Sequence, residues 1–313
     1  MSSPSDFVPV FVIGSGRSGT TWLQLLLSQH PSVATCQETH LFTKYLGPLD
    51  RTWRAEANDP GPRRVGLPQT FDESDFDEAC RAIADRLMRR ILADKPGATV
   101  ALEKTPGHAQ EWRLIRRIYP HAYLVHMVRD PRAVVASLKS AGASWGSRWA
   151  SRSAEGAVRQ WETLVLAALE ARGTDRYREV RYEDLLEDGP RILSGIFDWL
   201  GLDATLDDAE AFVHACRIDR LQKGDGPASP WKLDAEPADF YRKGQADSWK
   251  DDLEAPEIRL IESMVPELMR DLGYATSSPP GRIPLGALVR RALRPARARA
   301  ASMLASASRR LQV

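Results

Sequence analysis

Apolar positions along the chain fall into short runs that alternate with longer helical stripes. Val10–Ile13 form a buried-strand pattern that runs straight into Gly14-Ser-Gly16-Arg17-Ser18-Gly19-Thr20-Thr21-Trp22, and an apolar helical pattern follows to Ser28. His30-Pro31 ends that helix, and Val33 opens a short second strand whose end is polar: Gln37, Glu38, Thr39, His40. Residues 44–70 are rich in Pro, Gly and Arg, show no period and read as a long irregular connection. Helical spacing of Phe76, Ala79, Cys80, Ile83, Leu87, Ile91 and Leu92 predicts an amphipathic helix over Ser74–Lys95.

Thr99–Leu102 predicts a strand ending in Glu103-Lys104-Thr105-Pro106, then a helix over Gln110–Tyr119. Ala122–Val128 predicts another strand, ending in Arg129-Asp130-Pro131-Arg132, with Pro131 suited to a first helical turn. A Gly/Ser loop at 141–153, a helix over Ala154–Ala171, a strand over Glu179–Tyr182 and a helix over Pro190–Leu200 follow. Residues 217–252 look irregular, and a last globular helix covers Pro256–Leu272. This alternation predicts an α/β fold: a central parallel sheet flanked by helices, with a phosphate-loop-like strand–loop–helix at the N-terminus. The polar clusters at 14–21, 38–40, 103–105 and 129–132 all follow strands, so they gather at one carboxyl edge of the sheet, where ligands bind.

The loop after the first strand is an anion cradle by its chemistry. Glycines allow close backbone approach, Ser18, Thr20 and Thr21 offer hydroxyls, and the helix N-terminus offers free N–H groups and a positive dipole end. It almost fits G-x-x-x-x-G-K-[ST]: Gly14, Gly19 and Thr21 are in place, but Thr20 stands where the lysine belongs. That lysine reaches the β- and γ-phosphates and the hydroxyl holds magnesium. Its replacement argues for a shorter phosphate chain and leaves no reason to require a metal.

Composition sets the outer bounds. With 313 residues, 43% hydrophobic and 27% charged, the chain is an ordinary globular protein able to bury a large core. No apolar run approaches the roughly 20 residues that span a bilayer. No secretory pattern opens the chain, and its three cysteines are widely spaced, so the expected compartment is the cytoplasm. The net charge of +1 hides an asymmetry: residues 281–313 hold eight arginines and no acid, leaving 35 basic against 42 acidic residues elsewhere. The organisation expected is one domain over 1–280 and a basic tail over 281–313. That tail reads as a disordered terminus or as an amphipathic helix for peripheral contact with an anionic membrane. Nucleic acid is not an expected partner, since aromatic residues are not interleaved with the basic ones and the body is acidic.

Several clusters together resemble the sulfotransferases that use 3′-phosphoadenosine 5′-phosphosulfate (PAPS). Arg17-Ser18-Gly19-Thr20-Thr21-Trp22 is similar to their 5′-phosphosulfate loop. Arg129–Ser137 resembles their 3′-phosphate element, in which an arginine and a serine eight residues on grip the phosphate. Arg181-Tyr182-Glu183-Asp184-Leu185 resembles the segment whose tyrosine borders the adenine. Arg242-Lys243-Gly244, with Trp249-Lys250 after it, resembles the late element that closes over the 3′-phosphate. The resemblance covers about residues 8–275 in consistent order.

It implies a PAPS-dependent enzyme moving a sulfuryl group to a hydroxyl or amine, with Lys104 neutralising charge on the bridging oxygen or sulfonate. Glu38-Thr39 resembles the tyrosylprotein sulfotransferases, in which this glutamate is the general base; Arg17 also agrees with that branch and with bacterial members. Cytosolic members use a histidine two residues after the lysine, where this chain has Pro106. His108 is therefore the second candidate base and His40 the third. The acceptor stays open among small molecules, glycans, lipids and peptides, with Trp53, Trp145, Trp149 and Trp231 as candidate lining. The alternatives are a nucleotide-dependent phosphotransferase or a non-catalytic nucleotide-binding adaptor.

Overall fold

The structure, a computed structural model, describes residues 6–59, 66–227, 237 and 240–277. Trp231 and the tail 281–313 lie outside the described residues. The chain divides into two compact units, Met1–Asp252 and Leu253–Val313.

The first unit is built on five parallel strands: β1 (Val8–Gly14), β2 (Val33–Thr35), β3 (Val100–Lys104), β4 (Tyr123–Val128) and β5 (Tyr177–Arg181). Their order is β2-β3-β1-β4-β5, so β1 is central and the chain leaves it first to one side and later to the other. Such a reversal opens a crevice at the carboxyl ends of the strands. The register sets Val12 opposite Lys104 and Gly14 opposite Met127, which brings the ends of β3 and β4 beside the loop after β1.

Helices cover both faces, and β1 shows why. Successive strand side chains point to opposite faces. Phe11 and Ile13 join a cluster with Phe42, Trp53, Phe76 and Tyr119, while Val10 and Val12 join another with Trp22, Leu23, Leu26 and Phe197. In chain order the helices of this unit are α1 (Thr20–Ser28), α2 (Gly47–Ala57), α3 (Glu73–Ala93), α4 (Trp112–Ile118), α5 (Pro131–Gly142) and α6 (Ala154–Leu169). They continue with α7 (Tyr182–Glu187), α8 (Gly189–Leu200), α9 (Leu206–Ala215), α10 (Ile218–Lys223) and α11 (Trp249–Asp252). A π-helical turn at Leu41–Leu46 leads into α2, and a 3-10 turn at Pro106–Glu111 leads into α4.

The parallel α/β architecture agrees with the sequence pattern, and three local readings are corrected. Residues 44–70 are not one irregular connection. Pro48 starts α2, whose buried face is only Gly47, Asp50 and Trp53, so no apolar stripe marks it. Trp53 stacks on Phe76 with centroids 4.8 Å apart and belongs to the core rather than to a pocket. The stretch 217–252 contains α10 and α11.

The second unit, as described, holds α12 (Ala255–Met264) and α13 (Pro266–Asp271), which the sequence read as one helix. Pro266 cannot donate to the helical ladder, and its ring pushes Val265 out of the helical region, so the helix breaks there. Glu262 accepts hydrogen bonds from the amide and hydroxyl of Ser277. Among the described residues no helix is long and apolar enough to cross a membrane.

Candidate active site

The loop after β1 turns the chain with Arg17 at φ +68° and Gly19 at φ +96°. A Cβ on Gly19 would stand 2.6 Å from the Tyr182 ring, so only glycine lets the loop lie against that tyrosine. Gly19 caps α1 without a side-chain bond, and no acid occupies the first turn, so the helix start keeps its anion-attracting character. Ser18 is fully buried, and its hydroxyl has no hydrogen-bond partner among the described residues. Trp22 anchors the helix from behind: its indole N–H donates to the Cys216 carbonyl at 2.9 Å.

Three guanidinium groups converge on this loop. Arg17 donates through Nε to Ser137 Oγ at 3.0 Å and through Nη2 to the Phe240 carbonyl at 2.6 Å. Its guanidinium lies over the rings of Trp145 and Phe240, 5.3 and 5.1 Å from their centroids. Burial, with the charges of Arg129 and Arg242, pulls Arg17 down to about 10, which leaves it cationic at neutral pH. Arg129 lies 3.9 Å over the Tyr182 ring and donates to the carbonyls of Arg17 and Gln245, while its buried Nε has no partner among the described residues. Asp130 does not neutralise it, because that carboxylate is held by Arg132 at 2.6 Å. Arg242 and Lys243 both bind Asp252, at 2.7 and 2.8 Å.

Arg17, Gly19, Thr20, Thr21, Trp22, Arg129, Ser137, Tyr182, Arg242, Lys243 and Gly244 line one groove with Phe240 and Tyr241. Its free volume is about 80 Å³, below the ~300 Å³ of a small ligand pocket. The chemistry of the groove suits an anionic ligand: Arg17, Arg129 and Arg242 crowd one another there, and the buried Arg129 Nε has no partner among the described residues. Among the described residues, no group of three or more His, Cys, Asp or Glu is placed to hold a metal ion.

A second cavity of about 820 Å³ opens beside the groove. Arg17, Thr20, Thr21 and Phe240 line both, so they form a shared wall. Trp145, Trp149, Leu164 and Pro106 give the second cavity apolar sides, and Lys44 and Arg159 add cations. Glu38 and His40 line it too.

At that wall the fully buried Lys104 donates from Nζ to Glu38 Oε1 at 2.6 Å and to Thr21 Oγ1 at 3.1 Å. One cation thus joins the loop hydroxyl to a carboxylate that is 19% exposed toward the cavity. The other Glu38 oxygen lies 3.6 Å from His40 Nε2. Burial draws the His40 ring below its ordinary value, and Lys44 adds to this against the pull of Glu38.

Ser137 accepts from Arg17 Nε, and both line the groove with Arg129. One expectation changes here. His108 is fully buried between strand and core: its Nδ1 lies 2.8 Å from Glu103, and its Nε2 accepts from the Phe42 amide. Without exposed surface, and with the Phe42 amide on Nε2, it lines neither cavity, whereas Glu38 and His40 line the larger one. The residues that sequence reasoning missed are Phe240, whose position directly before Tyr241 and Arg242 was the available signal, and Asp252, which carried none.

The chain resembles known proteins in sequence and in fold. It is 29% identical over 185 residues to protein-tyrosine sulfotransferase 1 of Danio rerio, covering 58% of this chain and 49% of that protein. It is 26% identical over 292 residues to nodulation protein NoeE of Sinorhizobium fredii, covering 85% of this chain and 66% of that protein. The chain therefore spans about half to two thirds of the length of these relatives. The solved structure of mouse sulfotransferase SULT7A1 complexed with PAP superposes with a TM-score of 0.56 at 15% identity, over 85% of this chain and 86% of that one. The sulfotransferase domain of the Synechococcus PCC 7002 olefin synthase gives 0.52 at 22% identity, over 84% and 96%. The model of the sulfotransferase family matches residues 9–208, and the chain belongs to that family.

Proposed function

We propose that the protein transfers a sulfuryl group from PAPS to a hydroxyl or amine of an acceptor by in-line displacement. The observation that carries this reading is the Glu38–Lys104–Thr21 chain, set in the wall between a cation-lined groove and an acceptor-sized cavity. Ser18, Gly19, Thr20 and Thr21 hold the 5′ end of the donor. Arg129, Ser137, Arg242, Lys243 and Gly244 hold the 3′-phosphate, and Tyr182 and Trp22 border the base. PAP bound to a relative of the same fold supports the donor assignment.

Glu38 takes the proton of the acceptor group as the new S–O or S–N bond forms. Lys104 and Thr21 donate to the bridging oxygen as its bond to sulfur breaks, so the departing charge on adenosine 3′,5′-bisphosphate (PAP) meets a fixed cation. Arg17 lines both chambers, holds the 5′ end of the donor with the loop hydroxyls and steadies the charge spread over the transferring group. A positioned base is worth roughly 10²–10⁴ in rate. A fixed cation at the developing charge contributes roughly 10²–10³ more.

The acceptor we propose carries its hydroxyl on a largely apolar body, matched to Trp145, Trp149 and Leu164. The relatives named protein-tyrosine sulfotransferases support a phenol among these. Cell extract incubated with PAPS and the pure protein tests the reading. A new product heavier by one sulfonate is expected. Calorimetry in which Mg-ATP binds and PAP does not would overturn it.

A further inference from the structure

Glu103 is fully buried one residue before Lys104 and has no place in the chemistry above. Adjacent strand residues face opposite ways, so β3 sends Lys104 to the shared wall and Glu103 to the other side. There Glu103 Oε1 accepts from the Thr39 amide at 3.1 Å, the Thr39 hydroxyl at 2.8 Å and the Thr105 hydroxyl at 2.6 Å. Its Oε2 lies 2.8 Å from His108 Nδ1. Because His108 Nε2 accepts from the Phe42 amide at 3.1 Å, the ring stands with its Nδ1 edge toward Glu103. Burial alone would push the Glu103 carboxyl up. The His108 ring, the Thr105 hydroxyl and the Thr39 amide outweigh it and hold the group at about 2.

The partners form a pattern. Four consecutive amides, those of Thr39, His40, Leu41 and Phe42, donate to Glu103, Thr105, the Thr39 hydroxyl and His108 respectively. The last three belong to the N-cap and first residues of the Leu41–Leu46 turn, whose N–H groups have no helical partners, and the Thr39 amide lies just before them. His40 is held there at φ +53°, a conformation that persists for a non-glycine residue only when its surroundings enforce it. Glu38 immediately precedes this captured stretch.

We infer that Glu103, acting with His108, Thr105 and Thr39, is a positioning residue that clamps the backbone after Glu38 and so fixes the Glu38 carboxylate against Lys104. The inference rests on Glu38 being the base of the proposed reaction. One strand end thereby serves the site twice: Lys104 supplies the cation, and Glu103 anchors the chain that carries its partner.

Thr39 allows the mildest test. Thr39→Val keeps the shape and removes the hydroxyl that joins Glu103 to the Leu41 amide, while Thr39→Ser retains that hydroxyl. Crystals of each variant with PAP report the Glu38–Lys104 contact without any need to know the acceptor. The contact of 2.6 Å is expected to be lost in Thr39→Val and kept in Thr39→Ser. With 2-naphthol as the acceptor probe, kcat for PAP release should fall about 10- to 100-fold in Thr39→Val, as expected for a misplaced catalytic group. PAP affinity should stay within about twofold, because the clamp touches no groove residue. In a Glu38→Gln background the Thr39→Val change should have no further effect. An intact contact and unchanged kcat in Thr39→Val, with Glu38→Gln inactive, would overturn the clamp and leave the base assignment standing. Full turnover by Glu38→Gln would overturn the base assignment instead, and the crystals would then decide the clamp alone.

Discussion

Arg17 Nε donates to Ser137 Oγ at 3.0 Å, joining the loop after β1 to the middle of α5 across 120 positions of sequence. The two anion grips proposed for the ends of one nucleotide therefore touch each other, and Arg17 and Arg129 line the same groove. Arg17→Ala should weaken PAP binding by about 30- to 100-fold, the cost of a charge-assisted contact. Ser137→Ala should weaken it about 5-fold, the cost of one neutral hydrogen bond. Titration calorimetry checks both, and equal affinities in all three proteins would refute the shared grip.

Lys104 is expected to matter in the transition state far more than in binding. Lys104→Met removes the cation from the wall but leaves the groove lining intact. Turnover should drop roughly 10²–10³-fold, while PAP binds within a few-fold of the parent. A matched loss in affinity and rate would place Lys104 in ground-state binding instead.

The segment before α11 should tighten when the nucleotide enters. A Cβ on Gly244 would stand 2.9 Å from Ile218, at φ +63°. Gly244→Ala should therefore displace Arg242 and Lys243 and weaken PAP binding by about tenfold with little change in melting temperature. Hydrogen exchange of the parent protein should slow at residues 240–248 on adding PAP. Exchange that is unaffected there would rule out closure of this segment.

Acid should destabilise the fold in two stages. Burial holds the His126 imidazole down at about 4 against an ordinary 6.5, so the unfolded chain binds the extra proton first and stability falls as pH drops from 6.5 toward 4. Glu103, held at about 2 against 4.5, contributes stability that is present above 4.5 and lost as pH falls toward 2. Melting temperatures recorded between pH 4 and 7 should fall less steeply for His126→Gln than for the parent. Parallel curves would count against the first stage.

What could be read from the sequence was whatever lay in one contiguous run. Gly14–Thr21 states its chemistry within eight residues, and Glu38 and Lys104 stand at polar ends of apolar strands, so sheet topology alone gathers them. Contacts between distant segments were not legible. An eight-residue spacing from Arg129 to Ser137 places the serine on the right helix but does not say which arginine reaches it. Phe240 meets Arg17 across 223 positions, which no local pattern encodes. The helix α9 did carry a signal, the reciprocal cap between Thr205 and Asp208, although its one buried apolar residue gives it no stripe. Trp53 looked like a ligand-facing residue because its neighbours are polar. Its helix is fastened by Asp50, which pairs with Arg54 and Arg117, and this lets the indole turn inward onto Phe76.

The opposite headings of Glu103 and Lys104 constrain how this protein can change. Inserting or deleting a single position within β3 would exchange their faces, sending the ammonium into the interior and the carboxylate to the reaction wall. The tryptophan-bearing walls of the larger chamber have no such coupling to strand length. New acceptors are therefore open to the lineage by single exchanges around that chamber, whereas the span of one short strand must be inherited unaltered.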